Sequence, residues 1–469
     1  MSRIDRIRAF LDLDWTKWPY IGVLTALFML SRVPLLNSGF GADSDAWLMA
    51  NTAFGLRFSH VYHASRFPGY PLPEFVNSFV IDHGWIATNT LTMIFSLSSV
   101  FVFALILKDL NARNKGLLVL TYAFLPIVWI NSSNTMDYMW ALSFIVMAWF
   151  LALRNRWAFA GVMMGLAIGS RITSAILVLP FLYLVLTGER KVKNGIGFVV
   201  ATGAVSLLLF VPLFLQYGLG FLTYYPAKGN LADHLFRIAY NGVYVLGIAA
   251  TLFGAIFLVL SFKALRKLLV SRDREAVFLL FAMSSVGVLF AIAPLDSAYL
   301  LPAIPFGLLL ANKIGKRQLV TILAVILLLT SFVALRVARN DEGNLEIYFA
   351  EGVLIREAEQ SSHQLDYVHD LLDIKLTRSY VIAGYYLPIL SYLGREDGII
   401  TNSEESNTPA TNLEYDCWYV YLIPLDEMLA LQEEGYTVYY IQNMRKYTQD
   451  VYGYDLNDYG CVFLEVISE

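Results

Sequence analysis

Up to about residue 335 the chain alternates long apolar runs with short polar loops, and beyond that point apolar and polar residues alternate at short range. A membrane-spanning helix needs roughly 20 mostly apolar residues, and shorter ones are tolerated inside a bundle. On that basis the pattern predicts eleven apolar helices, at residues 20–36, 87–107, 116–131, 137–153, 157–169, 171–186, 195–215, 237–261, 275–293, 298–312 and 319–335, the fifth and sixth being short. Ahead of them, MSRIDRIRAFLDLDWTKW is basic and amphipathic, and the apolar run behind it has no persuasive small-residue cleavage site. This reads as an interfacial helix followed by a retained first span.

The tail has a different pattern. RSYVIAGYY, YDCWYVYLI and GYTVYYIQ are strand-like, with LPILSYL and PLDEMLALQEEG as intervening helices, which predicts a small α/β unit. The expected architecture is an all-α polytopic membrane bundle of about 11 transmembrane helices over residues 1–335, with a small extracytoplasmic α/β domain over residues 336–469. Internal repeats are absent.

Composition agrees with this division. The 469 residues are 57% hydrophobic and only 15% charged, well below the about 25% charged of soluble domains. The tail carries 24 acidic and 8 basic residues, so the acidic excess is concentrated there. The only cysteines, Cys417 and Cys461, lie on separate strand-like runs of the tail and would meet if those runs pair. Spacing alone leaves a disulfide and two free thiols both open.

Lys and Arg counts in alternate loops set the orientation. The N-terminus and the loops near 108–115, 154–156, 187–194, 263–274 and 313–318 contribute 20, and the opposite loops contribute only Arg57, Arg66, Arg171 and Lys228. The N-terminus is therefore expected in the cytoplasm, and the first loop of some fifty residues and the tail outside. The basic loops are topology signals, and no nucleic-acid signature is present.

The chemistry-bearing residues lie on the outer side. In GFGADSDAW, Asp43 and Asp45 precede a helical pattern that begins near Ala46, with an apolar face of Trp47, Leu48, Ala50, Phe54 and Leu56 at the membrane surface. Three roles are open for the pair: a helix cap, a ligand set for a hard cation, or a general base held ionised at a helix N-terminus. Further on, RFPGYPLPE contains Arg66, Tyr70 and Glu74, and its prolines Pro68, Pro71 and Pro73 predict a rigid extended path that is not helix. Arg66 is a lone cation suited to phosphate. His60 and His63 are read as surface residues.

Asp137, in TMDY, is either a helix cap or a functional acid. Arg171, in GSRIT, lies between two short apolar segments, where an arginine is costly unless paired or hydrated and is a functional candidate by default. APLDSAYLLPAIPF places Asp296 and Tyr299 beside Pro302 and Pro305 at the outer surface.

The order of these motifs over residues 15–335 resembles the GT-C membrane glycosyltransferases, among them the protein O-mannosyltransferases and lipid A aminoarabinose transferases. The resemblance implies transfer of a sugar, a hexose or a pentose, from a polyprenyl-phosphate donor to a glycan, lipid or protein acceptor, with inversion, outside a cell membrane that the enzyme crosses many times. It assigns the general base to Asp45 or Asp43 and a second acidic position to Asp137. It turns Arg66 and Arg171 toward the carrier phosphate, with Tyr299 near it. Tyr70, Glu74 and Asp296 complete the candidate substrate-binding set. Asp296 and Ala298 depart from the family pattern, in which a basic residue precedes the tyrosine. No cofactor is expected to be required, and a divalent cation at Asp43 and Asp45 stays open.

Two other functions compete. A lipid-linked sugar flippase would spread its polar residues through the helices, and a surface polysaccharide polymerase or ligase would lean on arginines over a carboxylate base. The carboxylate-rich first loop favours the transferase.

Overall fold

A computed structural model describes residues 3–223, 231–339, 345–401 and 409–466. Lys228, counted above among the outer cations, lies outside the described residues. The chain forms two compact units, one of Met1–Leu36, Tyr70–Pro73 and Asn89–Glu357, the other of Asn37–Gly69, Glu74–Thr88 and Ala358–Glu469.

The first unit is mostly helical. Among the described residues, five helices are long and apolar enough to cross a membrane, Ile81–Asp109, Lys191–Tyr217, Ile248–Val270, Arg274–Ile292 and Ser297–Ile314, and shorter apolar helices accompany them. Three of the sequence segments are not single helices. The run at 116–131 breaks into Lys115–Phe124 and Pro126–Asn131 because Pro126 has no N–H to continue the ladder. The run at 237–261 breaks at Gly247, φ +78°, between the helices Leu231–Leu246 and Ile248–Val270. A Cβ at Gly247 would stand 2.9 Å from Thr330 Cγ2. The run at 319–335 stops as helix at Leu329, and Val333–Arg339 forms strand β1, antiparallel to β2, Leu345–Glu351. An unbroken apolar run has no period to separate helix from strand. The fall in hydropathy at residue 335 thus lies within β1.

The basic loops meet one another. Arg317 pairs with Asp12 at 2.6 Å, Lys313 with Asp273 and Glu275 at 2.8 and 2.9 Å, and Arg154 with Asp109 at 3.0 Å. Gly161, Gly165 and Gly169 line one face of the Trp157–Ser170 helix, where an added Cβ would approach Phe198 O, Val205 and Leu209 of the Lys191–Tyr217 helix within 2.6 Å. This is the small-xxx-small packing of membrane helices, and it fixes the position of Arg171, the residue that ends the helix.

The second unit joins most of the first loop to the tail. Its sheet has the order β4-β5-β6-β3-β7-β8, with β3 Ser379–Ile382, β4 Ile399–Thr401, β5 Ala410–Asn412, β6 Cys417–Val420, β7 Thr437–Tyr440 and β8 Val462–Phe463. Strands β6, β3, β7 and β8 are parallel to their neighbours in that order. The strands and helices expected from the tail motifs are present, including the helices Leu387–Leu393 and Leu425–Glu433. Cys417 and Cys461 are both free. Cys417 is in β6 and Cys461 directly precedes β8, and β3 and β7 separate those strands, a gap of roughly 14 Å at the usual strand spacing.

The Ser44–Phe54 helix packs on the Leu387–Leu393 helix. Asn51 Nδ2 donates to Pro388 O at 2.9 Å, and Arg395 Nη2 donates to Asn51 Oδ1 at 2.5 Å while its guanidinium lies over Phe54 and Tyr392. Trp47, expected at a membrane surface, is buried instead, in ring contact with Phe40 and Tyr392.

Candidate functional site

The two aspartates of the first loop have separate partners. Asp43, in extended conformation, is the N-cap of the Ser44–Phe54 helix, its carboxylate accepting from Asp45 N at 3.0 Å. Asp45 lies in the first helical turn, where its Oδ2 meets Arg66 Nε at 2.8 Å. Asp45 is about one-third exposed and Arg66 is buried, so the carboxylate has the open side.

Glu74 holds the strand of chain that carries Arg66. It is fully buried, Oε1 accepts from Ser65 N and Ser65 Oγ at 2.9 and 2.5 Å, and Oε2 accepts from Tyr62 at 2.6 Å. Burial pushes its carboxyl above 4.5, against the opposing pull of these donors and of Arg66. The expectation of an extended Pro-rich path fails here, because Pro71–Asn77 is a helix. Pro71 and Pro73 occupy its first turn, whose N–H groups have no intrahelical acceptor to lose.

The second cluster belongs to the first unit. Asp137 precedes the Tyr138–Leu153 helix but makes no side-chain cap hydrogen bond. Its Oδ2 instead meets Arg171 Nη1 at 2.6 Å, with both residues buried. Arg171 is extended, φ −156°, at the break between the Trp157–Ser170 helix and the Ile172–Leu177 3₁₀ turn, which turns its side chain out of the helical ladder. Its guanidinium carbon lies 4.1, 4.4 and 5.7 Å from the ring centres of Tyr138, Tyr299 and Tyr70. Asp296 accepts from Tyr138 Oη at 2.5 Å and caps the Ser297–Ala303 turn through Ala298 N.

A crevice beside this cluster is lined by Arg171, Tyr138, Tyr299, Ser174 and Pro302. Ser174 Oγ is buried there without a hydrogen-bond partner, leaving capacity for a ligand. An arginine backed by one carboxylate and walled by tyrosines can receive an anionic oxygen while keeping its own charge compensated.

The structure thus gathers Asp43, Asp45, Arg66 and Glu74 in one unit and Tyr70, Asp137, Arg171, Asp296 and Tyr299 in the other. It adds two residues that sequence reading passed over. Tyr138 follows Asp137 directly and was hidden in an apolar run. Arg32, at the end of the Tyr20–Arg32 helix, is fully buried, donates to Ser132 Oγ and Ala123 O, and lies over Phe28, Phe124 and Trp129. Ala123 O is among the carbonyls freed by the break before Pro126, so Arg32 caps a broken helix. An arginine inside an apolar segment was the available signal.

Among the described residues no group of three or more His, Cys, Asp and Glu side chains comes together. One oxygen of each first-loop aspartate is engaged by an N–H donor, Asp43 Oδ1 by Asp45 N and Asp45 Oδ2 by Arg66 Nε.

Comparison with known families finds a match over part of the chain. A model of the dolichyl-phosphate-mannose-protein mannosyltransferase family, a GT-C superfamily domain, matches residues 75–216. That family implies a membrane glycosyltransferase of the GT-C type, and the matched segment contains Asp137, Tyr138 and Arg171. No curated protein and no solved structure matches the chain.

Proposed function

We propose that the chain is a glycosyltransferase that moves a sugar from a polyprenyl-phosphate donor to an acceptor hydroxyl on the extracytoplasmic face, in the synthesis of a cell-surface glycan, glycolipid or glycoprotein. The observation that carries this reading is the buried Arg171–Asp137 pair, ringed by Tyr138, Tyr299 and Tyr70, within the segment that the mannosyltransferase family model matches.

The chemistry divides between a proton acceptor and an anion site. The acceptor oxygen forms a bond to the anomeric carbon from the face opposite the phosphate, and the bond from that carbon to the phosphate oxygen breaks, so the configuration inverts. The bonding pair leaves with the phosphate, and the acceptor's proton goes to Asp45. Polyprenyl phosphate needs charge stabilisation more than protonation as it departs, and Arg171 supplies it. Arg66 orients the Asp45 carboxylate in the resting enzyme. Asp43 keeps the first turn of the helix in place, and Glu74 keeps Arg66 in place.

The test is transfer by purified protein from a panel of radiolabelled polyprenyl-phosphate hexoses and pentoses. Transfer by the wild type that is lost in Arg171→Gln, with the protein still folded, supports the reading. A wild type that releases no sugar from any donor of the panel removes it.

A further inference from the structure

Strand β3 is the first strand of the parallel group, and the chain goes from it to β6 on one side before crossing back to β7 and β8 on the other. The order of the sheet reverses between β3 and β7. Open α/β sheets bind ligands outside the carboxyl ends of their strands at such a switch point. The segments at that edge are Ala383–Tyr386 after β3, Tyr421 after β6, and Gln442 with Asn443 after β7.

These segments bring tyrosines together. The Tyr385 ring lies 5.5 Å from Tyr421 and 5.3 Å from Tyr447, and the Tyr421 and Tyr447 hydroxyls are 3.2 Å apart. Gln442 Nε2 donates to Tyr386 Oη at 3.3 Å. Tyr385 is 51% exposed, whereas Tyr386, Tyr421, Gln442 and Tyr447 are half-buried. The edge therefore offers an exposed aromatic face beside several fixed hydroxyl and amide groups.

Two features decide what this edge can take. The turn after β3 reads AGYY, with one glycine and no run of backbone amides for a phosphate, and the Leu387–Leu393 helix that follows has a single full turn or two. The tail is strongly acidic, with 24 acidic against 8 basic residues, and repels anions. A nucleotide or a lipid phosphate is poorly matched on both counts. An aromatic face with neighbouring hydroxyls and an amide suits a neutral sugar ring, whose C–H face packs on the ring while its hydroxyls find polar partners.

We propose that the tyrosine edge at the carboxyl ends of β3, β6 and β7, centred on Tyr385, binds a neutral oligosaccharide. Identifying that saccharide as the acceptor glycan rests on the transferase reading above, whereas the binding itself does not. The site supplies affinity for the acceptor and takes no part in bond making.

The experiment is saturation-transfer NMR on the full chain in lipid nanodiscs, since detergents with sugar headgroups would compete. The probes are neutral di- to tetrasaccharides of mannose, glucose, galactose and N-acetylglucosamine, with sialyllactose as the anionic comparison and no donor present. At least one neutral probe is expected to bind with Kd of about 1 mM. Tyr385→Ala should weaken it by about tenfold or more, and Tyr385→Phe should retain most of it. Absence of binding by every neutral probe, equal binding by Tyr385→Ala, or a preference for sialyllactose overturns the proposal. Because no donor is present, a failed transfer assay and a failed binding assay are read separately.

Discussion

Arg171 Nη1 lies 2.6 Å from Asp137 Oδ2, and the two side chains are 6% and 0% exposed. A pair so buried gains little over a well-packed apolar substitute, yet removing one member strands the other's charge. Tyrosine rings surround the arginine, and the unpartnered Ser174 hydroxyl lines the same crevice.

This relationship separates structural from functional loss. Asp137→Ala and Arg171→Leu, made singly, should each cost about 3–5 kcal/mol, read as a lower thermal midpoint in nanodiscs. Asp137→Ala combined with Arg171→Leu should recover much of that stability and none of the transfer. Recovery of transfer in the double variant would assign the pair to structure alone.

Glu74 predicts a pH dependence of stability. Burial raises its folded-state pKa above the ordinary 4.5, so between 4.5 and the folded value the native state holds a proton that the unfolded state has released. The contribution is full below 4.5 and is lost as pH rises through the folded value. Glu74→Gln keeps an acceptor for Ser65 and removes the ionisation. The variant should therefore gain stability relative to wild type as pH rises from 4.5 to 8, in thermal scans across that range. A constant difference between the two proteins would show that Glu74 does not titrate there.

Much of this was legible in the sequence, for a physical reason in each case. Hydrophobic run length marked the apolar helices, and the strand-like runs around Tyr380, Trp418 and Val438 were found because alternation with β-branched and aromatic residues is local information. The helix after Asp43 was announced by its cap. The breaks at Pro126 and Gly247 were masked by apolar neighbours on both sides, and β1 by an apolar run too uniform to show a period. The partners of the candidate residues were not legible at all: Asp45 with Arg66 is a contact across 21 residues and Asp137 with Arg171 across 34. Nor was the docking of the Ser44–Phe54 helix on the Leu387–Leu393 helix, which joins Asn51 to Arg395 across 344 residues.

That docking makes the tail part of the support of the helix that carries Asp45. Arg395 is half-buried on Phe54 and Tyr392, and desolvation lowers its pKa to about 10, so its ring contacts and its bond to Asn51 hold it against a solvation cost. Arg395→Ala should loosen the helix that carries Asp45 and reduce kcat of transfer by about ten- to a hundredfold, the scale of a small misplacement. Arg395→Lys keeps charge without the planar stack and should not rescue it. Unchanged kcat in Arg395→Ala would show that the tail leaves the loop's geometry alone.

The last prediction concerns the two aspartates themselves, which the fold distinguishes although they are two residues apart. Asn is as good an N-cap as Asp, so Asp43→Asn should keep stability and transfer, whereas Asp43→Ala should cost about 1 kcal/mol of helix stability. Asp45→Asn retains a partner for Arg66 but has no basic oxygen. It should lower kcat by about 10²- to 10⁴-fold, the usual contribution of a general base, with the KM for donor nearly unchanged. Parallel assays with a chelator address the cation: transfer that survives chelation assigns the loss in Asp45→Asn to proton transfer, whereas transfer that collapses with chelator in wild type makes Asp45 a ligand. If Asp43→Asn is the variant that fails while Asp45→Asn remains active, the base is not in the first turn of this helix, and the Arg66–Asp45 pair is a structural tie.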